Sequence, residues 1–222
     1  MVTNAAPTAK ARERLTRERV VEAALEIMDD EGLDAVSMRR VAREVGVEAM
    51  SLYNHVRDKD DLLVAIQQRI FSEFSFDTVE GDPFGNGARV AHAWRDLMRV
   101  HPALIEILAE KHQAPISVEA LRPMEKALEV LRSMGVPDPE VMQVFHAFGG
   151  YIQGFVMMER QLAFAQRDPE HFDDVLSQLS SQDLPCIAAA MPYMADCDLD
   201  RQFDFGLDLM LQGLKSRFAP QA

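Results

Sequence analysis

Tyr53, Asn54 and His55 follow Ala49, Met50 and Ser51 across a single leucine, and Arg39, Arg40, Arg43, Arg57 and Lys59 lie close on either side. Hydroxyl, amide and imidazole groups bond to phosphate oxygens and base edges, small residues permit close approach, and a guanidinium can bind phosphate or grip O6 and N7 of guanine together. Taken singly, an aromatic residue or a histidine is more often half-buried structure, and an arginine is more often a solvated side chain. The clustering is what points to a nucleic-acid surface instead of a core.

Such side chains need elements that hold them outward. From Thr16, the run TRERVVEAALEIMDDEG sets Val20, Ala24, Ile27 and Met28 on one face, which predicts an amphipathic helix with Thr16 as N-cap and Gly32 as stop. A second helix begins after Ser37, turns Val41, Ala42 and Val45 inward and ends at Gly46. A third is expected over Glu48 to Val56, with Val47, Leu52 and Val56 packing inward. That leaves Glu48, Ala49, Met50, Ser51, Tyr53, Asn54 and His55 largely outward. Two short helices joined at a glycine turn and resting on a longer one are the parts of a helix-turn-helix, whose second helix enters the major groove.

Asp58 caps a fourth helix, with Asp60 and Asp61 in its first turn favoured by the helix dipole. The segment Asp77 to Gly87 is dense in Gly, Pro and Asp and reads as an irregular connection. Beyond it the pattern stays helical: ARVAHAWRDLMRV, ALIEILAEKH, a helix from Val118 to Met134 stopped by Gly135, and a longer one from near Pro139. A short apolar stretch near Cys186 to Met194 and a last helix, DRQFDFGLDLMLQGLKSRF, complete the chain. No strand-and-hairpin alternation stands out, so the expected class is all-α. The divisions expected are a loose N-terminal arm over 1–15, a helix-turn-helix domain over 16–66 and a larger helical domain over 67–222.

The formal net charge of −13 would repel nucleic acid if it were spread evenly. It is not: residues 35 to 59 hold five basic and three acidic side chains, so a locally positive face on an acidic body is allowed. No apolar run approaches the roughly 20 residues of a membrane helix. The first residues lack a secretory h-region, so a cytoplasmic protein without a membrane partner is expected. Cys186 and Cys197 match no zinc or redox spacing and read as reduced thiols.

Thr16 to Ile66 resembles the DNA-binding domain of the TetR family of transcriptional regulators, through the turn AREVGV, the recognition-helix ending LYNH and the following KDDLL. FDFGLDLMLQGL at Phe203 to Leu214 and the helix around FHAFGGYIQGF are similar to the ligand-binding domains of the tetracycline-repressor-like branch. The resemblance implies that Met38 and Arg39 approach DNA, that Ala49, Met50 and Ser51 face bases, and that Tyr53, His55 and Lys59 hold phosphates. Asn54 belongs to the same outward set. Arg39 is the best placed for guanine. The tetracycline repressor carries Gln-Pro-Thr and a tryptophan where this chain has Ala49-Met50-Ser51 and Asn54, so a different operator is expected.

The larger domain should hold an apolar cavity with a few orienting polar groups, and its candidate lining is Trp94, Met98, His101, His112, Met124, Phe145, Phe148, Tyr151, Gln153 and Met157. Each such residue is more commonly plain core or filler. The resemblance places His112 and Glu159 near the metal-binding histidine and glutamate of the tetracycline repressor. The neighbouring residues differ, and an apolar or aromatic inducer with no metal and no cofactor is the expectation. Gly149, Gly150 and Gly154 cost helix stability and permit close approach, either within the chain or across a dimer. The family pairs this helix with the last one in a four-helix dimer interface.

The reading that follows is a ligand-responsive, homodimeric regulator, a repressor, that binds a palindromic operator on double-stranded DNA and is released by a small-molecule inducer. An enzyme is disfavoured: Gly-x-Ser-x-Gly, His-Glu-x-x-His, a glycine-rich phosphate loop and a Cys-His signature are all missing, and no residue stands out as catalytic. The alternative is a helical adaptor that has kept the fold and lost DNA binding.

Overall fold

The computed structural model describes residues 14–109, 118–165, 184–190, 193 and 198–218. The N-terminal arm up to residue 13, His112 and Cys197 lie outside the described residues. The helices are α1 (Arg17–Glu31), α2 (Met38–Val45), α3 (Ala49–Leu52), α4 (Lys59–Phe71), α5 (Pro83–Val100), α6 (Leu104–Ala109), α7 (Val118–Ser133), α8 (Asp138–Ala165), α9 (Pro185–Ala190) and α10 (Leu199–Phe218). A single 3₁₀ turn, Leu33–Ala35, links α1 to α2. Among the described residues there is no strand, so the chain is all-α, and no helix is long and apolar enough to cross a membrane.

Two compact units divide the chain. The first runs to Arg69 and includes a short segment beginning at Glu106; the second takes Ile70 to Ile105 and the chain from Ile116 onward.

In the first unit the caps decide where helices begin and end. Thr16 Oγ1 accepts from the Arg19 amide at 3.2 Å and Ser37 Oγ from the Arg40 amide at 3.2 Å, each satisfying a donor the first turn cannot pair. Gly46 sits at φ 74°, ψ 37°, the left-handed region where a side chain is disfavoured. Its amide donates to the Arg43 carbonyl at 3.3 Å and that of Val47 to the Ala42 carbonyl at 2.9 Å, closing α2 in a Schellman motif. Val20, Ala24, Ile27 and Met28 of α1, Val41 and Ala42 of α2, Leu52, and Leu62, Leu63 and Ile66 of α4 form the buried core.

The sequence reading carried the third helix to Val56, and here the structure differs. Helix α3 stops at Leu52, and Tyr53, Asn54 and His55 form a turn. The His55 amide bonds to the Leu52 carbonyl at 2.8 Å, a tightened three-residue step. Arg17 Nη1 donates to the His55 carbonyl at 2.7 Å, pinning the turn from α1. Val56 still lands inward, 1% exposed, because its amide keeps the four-residue bond to Leu52 at 3.0 Å. Val47, expected inward, is half-buried.

The irregular segment expected over Asp77 to Gly87 ends earlier, where α5 begins at Pro83. Asp82 caps α5 by accepting from the Gly85 amide at 3.0 Å, and Pro83 fills the first turn, where its missing N–H costs nothing. The Asn86 side chain accepts from the Val79 amide at 2.8 Å and donates to the Val79 carbonyl at 2.9 Å, clamping the incoming chain. The residues FGNG are therefore helix. Gly87 lies where any Cβ would collide with the Met134 side chain.

In the second unit α5 packs against α7, α8 and α10, and α7 packs along α8. The core is Ala91, Leu97 and Met98 of α5, Leu128 and Leu131 of α7, Ile152, Phe155 and Val156 of α8, and Phe203 and Leu207 of α10.

Candidate nucleic-acid interface

The short helix α3 and the turn behind it present the residues singled out in the sequence. Met50 is 74% exposed and Tyr53 48%; Asn54 is exposed, and Ala49, Ser51 and His55 are half-buried. Leu52 faces the opposite way and is fully buried, anchoring the reading segment on α2. Met38 is half-buried at the start of α2, with Arg39 exposed beside it.

The turn itself is fixed by charge. Arg17 of α1 grips Asp61 of α4 with two bonds of 3.2 Å while its Nη1 also reaches the His55 carbonyl. Asp61 additionally accepts from the Arg57 amide at 2.9 Å. The Arg17 bonds hold the Asp61 carboxyl below its ordinary pKa, working against partial burial, and the Arg57 amide adds to the effect. Arg69 of α4 pairs with Glu22 of α1 at 2.5 Å.

These bonds sort the basic residues. Arg40 is engaged by Glu31 and Glu44, both at 2.6 Å, and their bonds raise its pKa. Arg57 lies 3.8 Å from Asp61. Arg39 and Lys59 are exposed and form no ion pair among the described residues. Of the five cations the sequence brings together, Arg39, Arg43 and Lys59 are exposed without an ion pair among the described residues, while Arg40 is occupied.

The candidate cavity residues fall in several places within the second unit. Trp94 is half-buried against Phe71 (5.7 Å between ring centres) and edge-on to Phe74 (5.4 Å). Met98 is fully buried. His101, 5% exposed, has Nε2 3.0 Å from the Glu73 carboxylate. Tyr151 donates to the Phe203 carbonyl at 2.7 Å and stacks on its ring. Met124, Phe145, Phe148 and Gln153 are half-buried, and Met157 is 50% exposed.

Sequence reasoning missed the most heavily buried polar group of this unit. Arg95 of α5, 2% exposed, binds Glu159 of α8 through Nη2, and the same nitrogen lies 2.7 Å from Asp200 of α10. Its guanidinium stands 4.4 Å from the centre of the Phe203 ring. Glu159 is therefore committed to an arginine. Among the described residues no cluster of histidine, cysteine, aspartate and glutamate could hold a metal ion. The signal was available: Gly87, Ala91, Arg95 and Met98 are one buried stripe of α5, and Ile152, Phe155 and Glu159 one stripe of α8. A charge on an apolar stripe needs a partner, and each supplies the other.

A three-helix head of this construction, with α2 and α3 joined at a left-handed glycine, defines a helix-turn-helix protein. Residues 20–66 match the family described as "Bacterial regulatory proteins, tetR family", and residues 85–218 match "Tetracyclin repressor-like, C-terminal domain". The chain belongs to the TetR family of bacterial transcriptional regulators. It is 33% identical over 220 residues to the HTH-type transcriptional repressor DrrR1 of Streptomyces coeruleorubidus, covering 94% of this chain and 80% of that relative. ActR of Streptomyces coelicolor, solved in complex with actinorhodin, superposes with a TM-score of 0.77 at 27% identity over 95% of this chain and 100% of that one. BioQ, solved with its natural double-stranded DNA operator, gives 0.61 at 26% identity over 91% and 99%.

Proposed function

We propose that this protein is a homodimeric transcriptional repressor, acting in the cytoplasm, that binds a palindromic operator and is released from it by a small apolar or aromatic inducer. The observation that carries the reading is the first unit's outward face: Met50 exposed on α3, Tyr53 and Asn54 exposed on the pinned turn behind it, with Arg39 and Lys59 in no ion pair among the described residues. A face built for solvent alone would have no use for a short helix and a tightly held turn that display Met50 and Tyr53. Met38, Ala49, Ser51 and His55 complete the set proposed to touch DNA.

A two-fold dimer would place two such faces about 34–36 Å apart, one turn of the duplex. Supporting the dimer, a Cβ added at Gly149, Gly150 or Gly154 would meet open space, and Phe205 and Leu209 of α10 are 69% and 56% exposed. The glycines thus have no close neighbour among the described residues that would explain them. Ligand binding in the second unit would act through α4, which leads the chain from one unit into the next. Linkage then requires DNA to weaken inducer binding by the same factor as inducer weakens DNA binding.

The test is selection of genomic fragments by the purified protein, followed by gel shift of the enriched fragments across a salt series. Enrichment of one palindromic site, with affinity falling as salt rises, is the expected result. Weak, sequence-independent binding would sink the reading in favour of a helical adaptor that retains only the fold.

A further inference from the structure

We infer that Met50 reads the C5-methyl group of a thymine in each half of the operator, and that this apolar contact supplies base discrimination on α3. The inference rests on the DNA-binding reading above and specifies its chemistry. Of the three residues at the start of α3, Ala49 and Ser51 are half-buried, and Met50 alone stands clear at 74% exposure. The segment that a helix-turn-helix inserts into the groove therefore leads with a thioether.

That side chain has no N–H or O–H to donate, and its sulfur is a weak acceptor. The floor of the major groove offers acceptors on guanine, adenine and thymine and donors on cytosine and adenine, which such a group cannot satisfy well. The one apolar feature displayed there is the thymine methyl. Polar and charged partners for the phosphates are supplied separately, by Tyr53, His55 and Lys59, so Met50 is not needed for phosphate binding. An isolated exposed apolar residue is ordinary on a protein surface. Here it stands on α3, ahead of a turn tied down by Arg17, Asp61 and Leu52, while its own side chain is 74% exposed.

The experiment uses the full-length protein and the operator obtained by fragment selection. Each thymine of a half-site is replaced in turn by deoxyuridine, which removes one methyl and leaves all hydrogen-bonding groups in place. Affinity is measured for the wild type and for Met50→Ala. Alanine is a good helix former and Met50 is exposed, so the variant folds; its circular dichroism and melting temperature verify this. At one thymine per half-site, the wild type should bind the deoxyuridine operator roughly fourfold more weakly, the worth of one buried methyl, while Met50→Ala shows no difference between the two operators. Replacing the thymine in both half-sites should square the effect.

If the wild type binds the operator tightly but no single demethylation separates it from Met50→Ala, the methyl reading is wrong and the regulator reading stands. If no specific operator is bound at all, both fall together.

Discussion

Arg95 and Glu159 face each other in the interior of the larger unit, 64 residues apart in sequence, and Asp200 approaches the same guanidinium nitrogen at 2.7 Å. Burial opposes the Arg95 charge, and the bonds to Glu159 and Asp200 outweigh it, so its pKa is raised. One cation thereby joins α5, α8 and α10. Removing Arg95 leaves the buried Glu159 carboxylate without its cation, which costs far more than the pair itself contributes, whereas removing Glu159 leaves Arg95 still paired with Asp200.

Arg95→Met should accordingly destabilise the protein by about 3–5 kcal/mol, a fall on the order of 10 °C in melting temperature. Combining it with Glu159→Met should recover most of the loss, since two apolar side chains of similar size replace the pair. Denaturation of the two single variants and the double variant measures the coupling directly.

Asp61 should make stability depend on pH in a defined direction. Its native pKa lies below the ordinary carboxylate value because Arg17 bonds the ionised form. Its contribution is therefore complete above the unfolded-state pKa and is lost as pH falls through the lower native one. Asp61→Asn should cost on the order of 1 kcal/mol at neutral pH, allowing for the solvent exposure of Arg17. The gap between wild type and variant should close below about pH 4. A gap unchanged at pH 3 would mean that the bond contributes nothing through its charge.

The basic residues should separate by what already holds them. Arg39→Ala is expected to weaken operator binding by about 1–3 kcal/mol and relax preference at one base pair, as for loss of a guanine contact. Lys59→Ala should weaken all sequences equally and lower the salt slope by about 1. Arg40→Ala should leave base preference unchanged, because Glu31 and Glu44 occupy that guanidinium. Gel shifts with the operator and its single-base variants distinguish the three.

The proposed dimer can be broken without unfolding the monomer. Phe205→Glu together with Leu209→Glu places charges on exposed positions of α10, so the fold should persist. Burying those charges between two copies should weaken association by roughly 3 kcal/mol or more, over a hundredfold. Sedimentation equilibrium would show monomer where the wild type is dimeric, and operator binding should fall with it.

Local chemistry was the readable part of this fold. Thr16, Ser37, Gly46, Asp58 and Gly135 each mark a helix boundary through a bond or a backbone angle that their own side chains, or lack of one, dictate. What escaped was set by residues distant in sequence. The recognition helix looked longer than it is because Val56 keeps the helical spacing, while the arginine that pins the turn behind it sits 38 residues earlier at position 17. The start of α5 was hidden by glycines that normally signal a loop, and only the Asp82 cap and the Asn86 clamp turn them into helix. Arg95 and Glu159 could each be noticed from a place on an apolar stripe, but their pairing is defined by packing alone.

The bonds that hold the turn after α3 run through Arg17, Asp61 and the backbone carbonyls of Leu52 and His55, and none involves the side chains of Ala49, Met50 or Ser51. In the proposed function, holding and reading thus fall to different residues. Under natural drift, those three positions can change one at a time at little cost to folding, so a duplicated copy of this gene has a short mutational path to a new operator and a separate regulon.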